Sequence, residues 1–215
     1  MPLQNRVDPF GAIHAVPERG LFTGNRGIIH APATKTLLKK RWALQAWIIC
    51  VCQFRNVRRE PMGRNRAGGK AGWTELFFLD EVTALAAGHR PCFFCQRARA
   101  KDFVGRFGQA FGIAEPRAPR VDKRLHTERL ASSGKRPVVT MDALARLPDG
   151  AMIAAGGNAY ALRHGKALPW AFAGYGPPTS LDRFEDKTLV LLTPETTLAV
   201  LRHGFQPVWH PSAKA

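Results

Sequence analysis

A chain of 215 residues, 45% of them apolar, is long enough to bury a core and too apolar to be disordered throughout. No apolar run approaches the ~18 residues of a membrane span, and Met1 to Asp8 holds no hydrophobic signal core, so a cytoplasmic protein with no membrane partner is expected. The net charge of +16 is unevenly placed: residues 1–140 hold 25 Lys/Arg against 10 Asp/Glu, residues 141–215 only 7 against 6. Charge segregated in this way attracts a polyanion, whereas a merely solubilising surface needs no such asymmetry.

Residues 1–36, rich in Gly, Pro and Asn, predict loops around one or two short strands. Trp42 to Val57 reads as a strand-like run, with Trp47, Ile48, Ile49, Cys50, Val51, Cys52 and Phe54 at its heart. Arg58 to Gly72 is a basic, glycine-rich hairpin connection or arm in which Arg58, Arg59, Arg64 and Arg66 lie close together. Guanidinium forks match phosphate geometry better than ammonium groups do. Trp73 to Leu79 is the next strand candidate. Asp80 then caps a short helix over Glu81 to Ala87, with Glu81 at its positive end and Gly88 in the left-handed stop position. The pair Cys92-x-x-Cys95 follows and leads into a helix whose Phe103, Phe107 and Phe111 recur every four residues. A link over Glu115 to Arg120 precedes a charged helix from Val121 to Leu130, and Ser132-Ser133-Gly134 closes the basic part.

From Pro137 the composition changes. Thr140 caps a helix to Leu147, Pro148-Asp149-Gly150 turns, and Met152 to Trp170 predicts two or three strands broken at Gly156-Gly157 and His164-Gly165-Lys166. Leu189 to Leu192 is a buried-type strand. After it Thr193 is placed as cap, Pro194 at the first helical position, and Gly204 as the stop. The expected fold class is α+β: a basic domain over 1–136, then a small α+β domain over 137–215. Leu79 to Pro91 and Leu192 to Pro207 echo each other as strand end, cap, helix, glycine and proline.

The cysteines fall as Cys50-x-Cys52 and Cys92-x-x-Cys95, a count and pairing that favour a metal site over a disulfide framework in a reducing compartment. Two thiolates one turn apart can chelate one tetrahedral zinc, with the following helix as cover. A thioredoxin-type redox pair sits instead at a helix start beyond a long strand. Here the tetrapeptide Gly88-His89-Arg90-Pro91 precedes the pair. Two simply buried thiols are the remaining alternative.

The stretch from Phe77-Phe78 through Ala84-Leu85-Ala86-Ala87-Gly88-His89-Arg90-Pro91-Cys92-Phe93-Phe94-Cys95 resembles the zinc-binding core of the Ada-type DNA-repair domain, over about 20 residues. Upstream, Gly24-Asn25-Arg26 and His30-x-Pro32 are more weakly similar to Ada-like modules attached to nucleases, where a His and a Cys four residues later are ligands. Here Thr34 stands at that second place. The resemblance implies a zinc core and DNA binding; the methyl-transfer chemistry of the Ada protein does not carry over. Two ligand sets remain open: His30, Cys50, Cys92 and Cys95, which is preferred, or all four cysteines with Cys52 as the alternative ligand, both strand cysteines then facing one way. Asn158 to Pro211 is loosely similar to abasic-site-binding SRAP peptidase-like proteins, but Pro2 stands where those carry a nucleophilic Cys.

The expected partner is nucleic acid, DNA ahead of RNA, contacted by Arg58, Arg59, Arg64 and Arg66 and by Arg90, Arg97 and Arg99 near the cysteines. The expected cofactor is zinc. The rival functions are an enzyme acting on nucleic acid at a site between the two domains, and a thiol-based redox or metal sensor. His126 and Glu128, two apart on a helix, point to different faces and do not make an acid–base pair. His89 is expected at the turn or on a phosphate, and His203 and His210 in structural roles. Trp170, Phe172 and Tyr175 are expected in a small core, with a base-stacking platform as the alternative.

Overall fold

The computed structural model describes residues 1–132 and 136–214, so Ser133 and Gly134 of the expected closing turn lie outside the described residues. The fold is α+β. The first half runs β1 (Arg6–Val7), β2 (Ile13–His14), β3 (Phe22–Asn25), β4 (His30–Ala31), β5 (Thr36–Leu37), β6 (Ile48–Val51), β7 (Leu76–Phe78), α1 (Glu81–Ala86), β8 (Arg90–Pro91), α2 (Arg97–Ala110) and α3 (Ala118–Ala131). The second runs β9 (Val138–Val139), α4 (Met141–Ala145), β10 (Met152–Ala155), β11 (Asn158–Arg163), β12 (Lys166–Ala171), β13 (Gly174–Tyr175), β14 (Leu189–Leu191) and α5 (Glu195–Arg202).

Each half builds its own sheet. The first has the order β2-β1-β7-β3-β6-β8 and the second β13-β12-β11-β10-β14-β9, with β4 and β5 as a separate ribbon. Five strands by residue 37 exceed the one or two expected. Four of the five are only two residues long. Distant partners fix the neighbours of β1 and β3, Arg6 pairing with Phe77 and Phe22 with Val51 and Phe78. Strands this short carry no legible period.

The cores cross the boundary between the sheets. Val82 and Ala86 of α1 pack with Met152, Ala154, Ala161 and Leu168 of the second sheet. Val200 and Leu201 of α5, with Phe205, join Phe103, Phe107 and Leu125 in the first-half core. Asp80 ties this junction together: fully buried, it accepts hydrogen bonds from Thr83 N (2.8 Å), Tyr175 Oη (2.9 Å) and His210 N (3.0 Å).

Two helix starts follow local chemistry and a third does not. Asp80 caps α1 as its sequence position requires. α3 begins at Ala118, earlier than Val121, because Pro119 sits in the first turn, where its missing N–H has no partner to lose. Thr193 is not the cap of α5. Its hydroxyl accepts from Met152 N (2.8 Å), Pro194 is extended, and the Glu128 carboxylate of α3 instead accepts from Thr196 N (3.1 Å). The basic loop is anchored on Glu75: Met62 is fully buried and its N–H donates to the buried Glu75 carboxylate (2.9 Å), which also accepts from Asn65 Nδ2 (3.2 Å).

Candidate metal centre and its basic surroundings

The thiol cluster arises where β8 pairs with β6. Gly88, at φ +80°, turns the chain out of α1, and Arg90 forks onto Asp122 of α3 at 2.8 and 2.7 Å. The parallel register Ile48↔Arg90 and Ile49↔Pro91 then sets Cys92 beside β6, with Cys92 N donating to Ile49 O (2.9 Å). Gln96 Nε2 donates to the same carbonyl (2.9 Å), and Gln96 N closes the turn onto Cys92 O (2.9 Å). The result brings the Sγ atoms of Cys50, Cys92 and Cys95 within 4.8 Å of one another, Cys50 and Cys92 buried and Cys95 half-buried.

Three soft donors at this spacing fit a metal ion. Tetrahedral zinc, with Zn–S bonds of about 2.3 Å, sets its sulfurs about 3.8 Å apart, so only a small closure is needed. The polar environment favours the thiolate at Cys92. Hydrogen bonds from the Cys50 and Cys95 thiols, then the N–H groups of Cys95 and Phe94, hold Cys92 well below the ordinary thiol range; Phe94 N lies 3.3 Å from its sulfur. Cys50 is pushed far up by its bonds to Cys92 and Cys95 and by burial. A divalent cation would draw all three sulfurs into the thiolate form. Among the described residues no further His, Cys, Asp or Glu belongs to the group.

His30 and Cys52 stand apart from it. His30 is buried, its Nδ1 2.7 Å from Thr74 Oγ1, its Nε2 without a hydrogen-bond partner; burial lowers its pKa. Cys52 is exposed and its thiol donates to Leu21 O at 3.4 Å. The expectation that both strand cysteines face one way fails because β6 ends at Val51, and alternation holds only within a strand.

The arginines divide in the same manner. Arg58, Arg64, Arg66 and Arg97 are exposed. Arg59 lies over the Trp73 ring at 4.7 Å and within 4.0 Å of Glu75. Arg90, 6% exposed, is committed to Asp122, and Arg99 is committed to Glu81 and the Gln206 carbonyl, so neither fork is offered to a phosphate as expected. His89 is fully buried against Trp47 and Phe78, which removes it as a phosphate contact. Glu128 serves α5, and His126 packs edge-on against Trp42. Tyr175 bonds Asp80 and Trp170 Nε1 donates to Thr83 Oγ1 (3.0 Å), so this pair joins the halves.

One element escaped the sequence. Phe94 is 71% exposed, its ring 5.2 Å from that of Phe54, and Arg55 lies over both rings at 5.1 and 5.9 Å. The signal was present in the two phenylalanines inside the Cys-x-x-Cys turn: a turn closed on two sulfurs has no interior for both, so Phe93 packs inward and Phe94 points out.

Comparisons of the chain with protein-family models, with curated proteins and with solved structures give no match in any of the three.

Proposed function

We propose that the protein is a zinc-containing nucleic-acid-binding protein, with DNA preferred to RNA and an Ada-like core around Cys50, Cys92 and Cys95. The observation that carries this is the convergence of three sulfurs directly behind the exposed Phe94, in the half of the chain that holds nearly all the excess positive charge. Zinc, when bound, would supply a rigid cross-link between β6 and the start of α2. The chain's own residues then do the binding. Phe94 and Phe54 offer a stacking surface for an unpaired base, Arg55 reinforces it, and Arg58, Arg64, Arg66 and Arg97 reach phosphates.

The test combines metal analysis of the purified protein with titration of duplex and single-stranded DNA and RNA at several salt concentrations. Expected are close to one equivalent of zinc and a log–log salt slope of about −0.9 per neutralised phosphate on duplex DNA. Charge reversal at Arg58, Arg64 and Arg66 together flattens that slope. Affinity independent of salt, or equal to that of a neutral protein of similar size, overturns the proposal.

A further inference from the structure

A second concentration of positive charge lies away from the cysteines, where the two sheets meet. A cavity of about 340 Å³ opens between Phe10, Gly11, Trp47, Arg129, Arg136 and Thr193. Two guanidinium groups, those of Arg129 and Arg136, line it and a third lies behind its wall. The third is that of Arg26, its Nη1 donating to Gly11 O (3.0 Å) and its guanidinium 4.0 Å from the centroid of Trp47; that of Arg129 is 4.1 Å from the same ring.

Among the described residues none of the three has an ion-pair partner. Arg129 donates to Gly88 O (2.7 Å) and Gln45 O (2.8 Å), and Arg136 to Phe10 O (2.7 Å) and Leu192 O (3.0 Å). Arg26 Nη2 and Arg129 Nε are buried with no acceptor at all. Of the carboxylates nearby, Glu195 lines the cavity, exposed at the start of α5, and the other two are engaged. Asp8 accepts from Ala12 N and faces His14 at 2.7 Å, while Glu128 holds α5 and faces Arg124 at 3.6 Å. Burial and then the charge of Arg129 bring the Arg26 pKa down to about 9, and burial brings that of Arg129 to about 10. Both remain cations at neutral pH. Buried cations without a counter-charge are costly, and an anion in the cavity would offset that cost.

We propose that this cavity binds a phosphate-bearing nucleotide unit, free or at the end of a nucleic-acid strand, with Arg129 and Arg136 on the phosphate and Arg26 adding charge from behind Gly11 and Trp47. Forked guanidinium donors suit a phosphate, and the volume exceeds what inorganic phosphate alone fills. The strand-end form rests on the nucleic-acid reading above; the free-nucleotide form does not.

The test uses the full chain. Melting is measured with 5′-AMP, adenosine and inorganic phosphate, and binding is measured for matched oligonucleotides with phosphate or hydroxyl at the 5′ or the 3′ end. For a free-nucleotide site, 5′-AMP near a hundredfold excess over Kd raises Tm by about 5 °C or more, and adenosine does not. For a strand-end site, one phosphorylated end binds about tenfold more tightly than its hydroxyl counterpart, as a charge-assisted contact predicts. Arg129→Lys keeps the charge but loses the fork and weakens whichever effect is found. Ala131→Glu places a carboxylate from the exposed end of α3 on the cavity wall, leaves the core untouched, and abolishes the phosphate effect. No phosphate effect in either arm, or one that Ala131→Glu leaves intact, overturns this inference. A steep salt slope persisting in that case leaves the proposed nucleic-acid binding standing, and a phosphate effect on 5′-AMP without any salt-dependent DNA binding does the reverse.

Discussion

The two strand–helix units, Leu76 to Pro91 and Leu189 to Pro207, share a plan and differ in what holds each helix start and where each exit leads. Both run strand, helix, left-handed glycine and proline, with Gly88 at φ +80° and Gly204 at φ +90°. The first caps its helix from within, through Asp80. The second borrows Glu128 from α3. After its glycine the first unit forms β8 and reaches Cys92, whereas the second continues past Pro207 to Val208, whose N–H donates to Glu81 of the first (2.8 Å). One exit builds the thiol cluster and the other closes the junction between the halves. A shared local pattern therefore fixes the turn, and the strand pairing that follows decides its use.

The largest effect should come from the exit that only the first unit has. Cys92→Ser or Cys50→Ser should abolish the proposed metal binding and lower stability by several kcal/mol, since metal and folding free energy are linked in sites of this kind. Cys52→Ser, outside the cluster, should leave metal content and Tm unchanged. Metal analysis with calorimetry of the three variants checks this, and equal losses at Cys52 would refute the three-sulfur assignment.

Next come the caps. Asp80→Ala leaves the Tyr175 hydroxyl and the Thr83 and His210 amides without their acceptor at the centre of the junction, so a loss of about 3–5 kcal/mol is expected from breaking this buried network. Glu128→Ala removes a part-buried cap and should cost about 1–2 kcal/mol. Chemical denaturation of both variants measures the gap, and a reversed order would break the contrast between the units.

The residue after each glycine separates the units by pH. The second unit has Phe205, which does not titrate; the first has His89, fully buried, its pKa held well below the ordinary value by burial and then by Arg26 and Arg129. A depressed folded-state pKa means that the unfolded chain takes up the proton first. Its contribution is thus complete above about pH 6.5 and is lost as pH falls toward the folded value, at about 1.4 kcal/mol per pH unit. His89→Gln should remove one such increment from the slope of stability between pH 6.5 and 5. Parallel slopes for the two proteins would show that His89 does not titrate on unfolding.

What the sequence revealed follows the range of the interactions involved. Asp80, Gly88 and the breaks at Gly156-Gly157 and His164-Gly165 act on their own neighbours, and α1, β10, β11 and β12 lie where those residues place them. Cys92 and Cys95 meet through a local turn, and Cys50 joins them by a register that its apolar, β-branched strand only hinted at. The strands before residue 37, the end of β6 that turns Cys52 away, and the capture of Arg90 by Asp122 and Arg99 by Glu81 depend on contacts far apart in the chain. An arginine in a basic sequence looks the same whether a phosphate or a buried carboxylate awaits it.

The smallest expected effect concerns the aromatic surfaces of the two halves. Phe94 and Phe172 both sit beside another ring, Phe54 in the first case and Trp170 in the second, but their surroundings differ. Phe172 is wedged edge-on between His14 and Trp170, in a half whose charge is nearly balanced. Phe94 projects into solvent beside Arg55, where a base could stack with its phosphates near cations. Phe94→Ala should weaken single-stranded DNA binding by about 1 kcal/mol, roughly fivefold, at the low end for base stacking because Phe54 of the same surface remains. Being exposed, it should change stability by no more than about 0.5 kcal/mol. Phe172→Ala should leave the affinity unaltered. Fluorescence anisotropy with a labelled single strand, at one fixed salt concentration, resolves a difference of this size. Equal affinities for Phe94→Ala and the unmodified protein would confine recognition to the arginines and remove the stacking surface from the proposed interface.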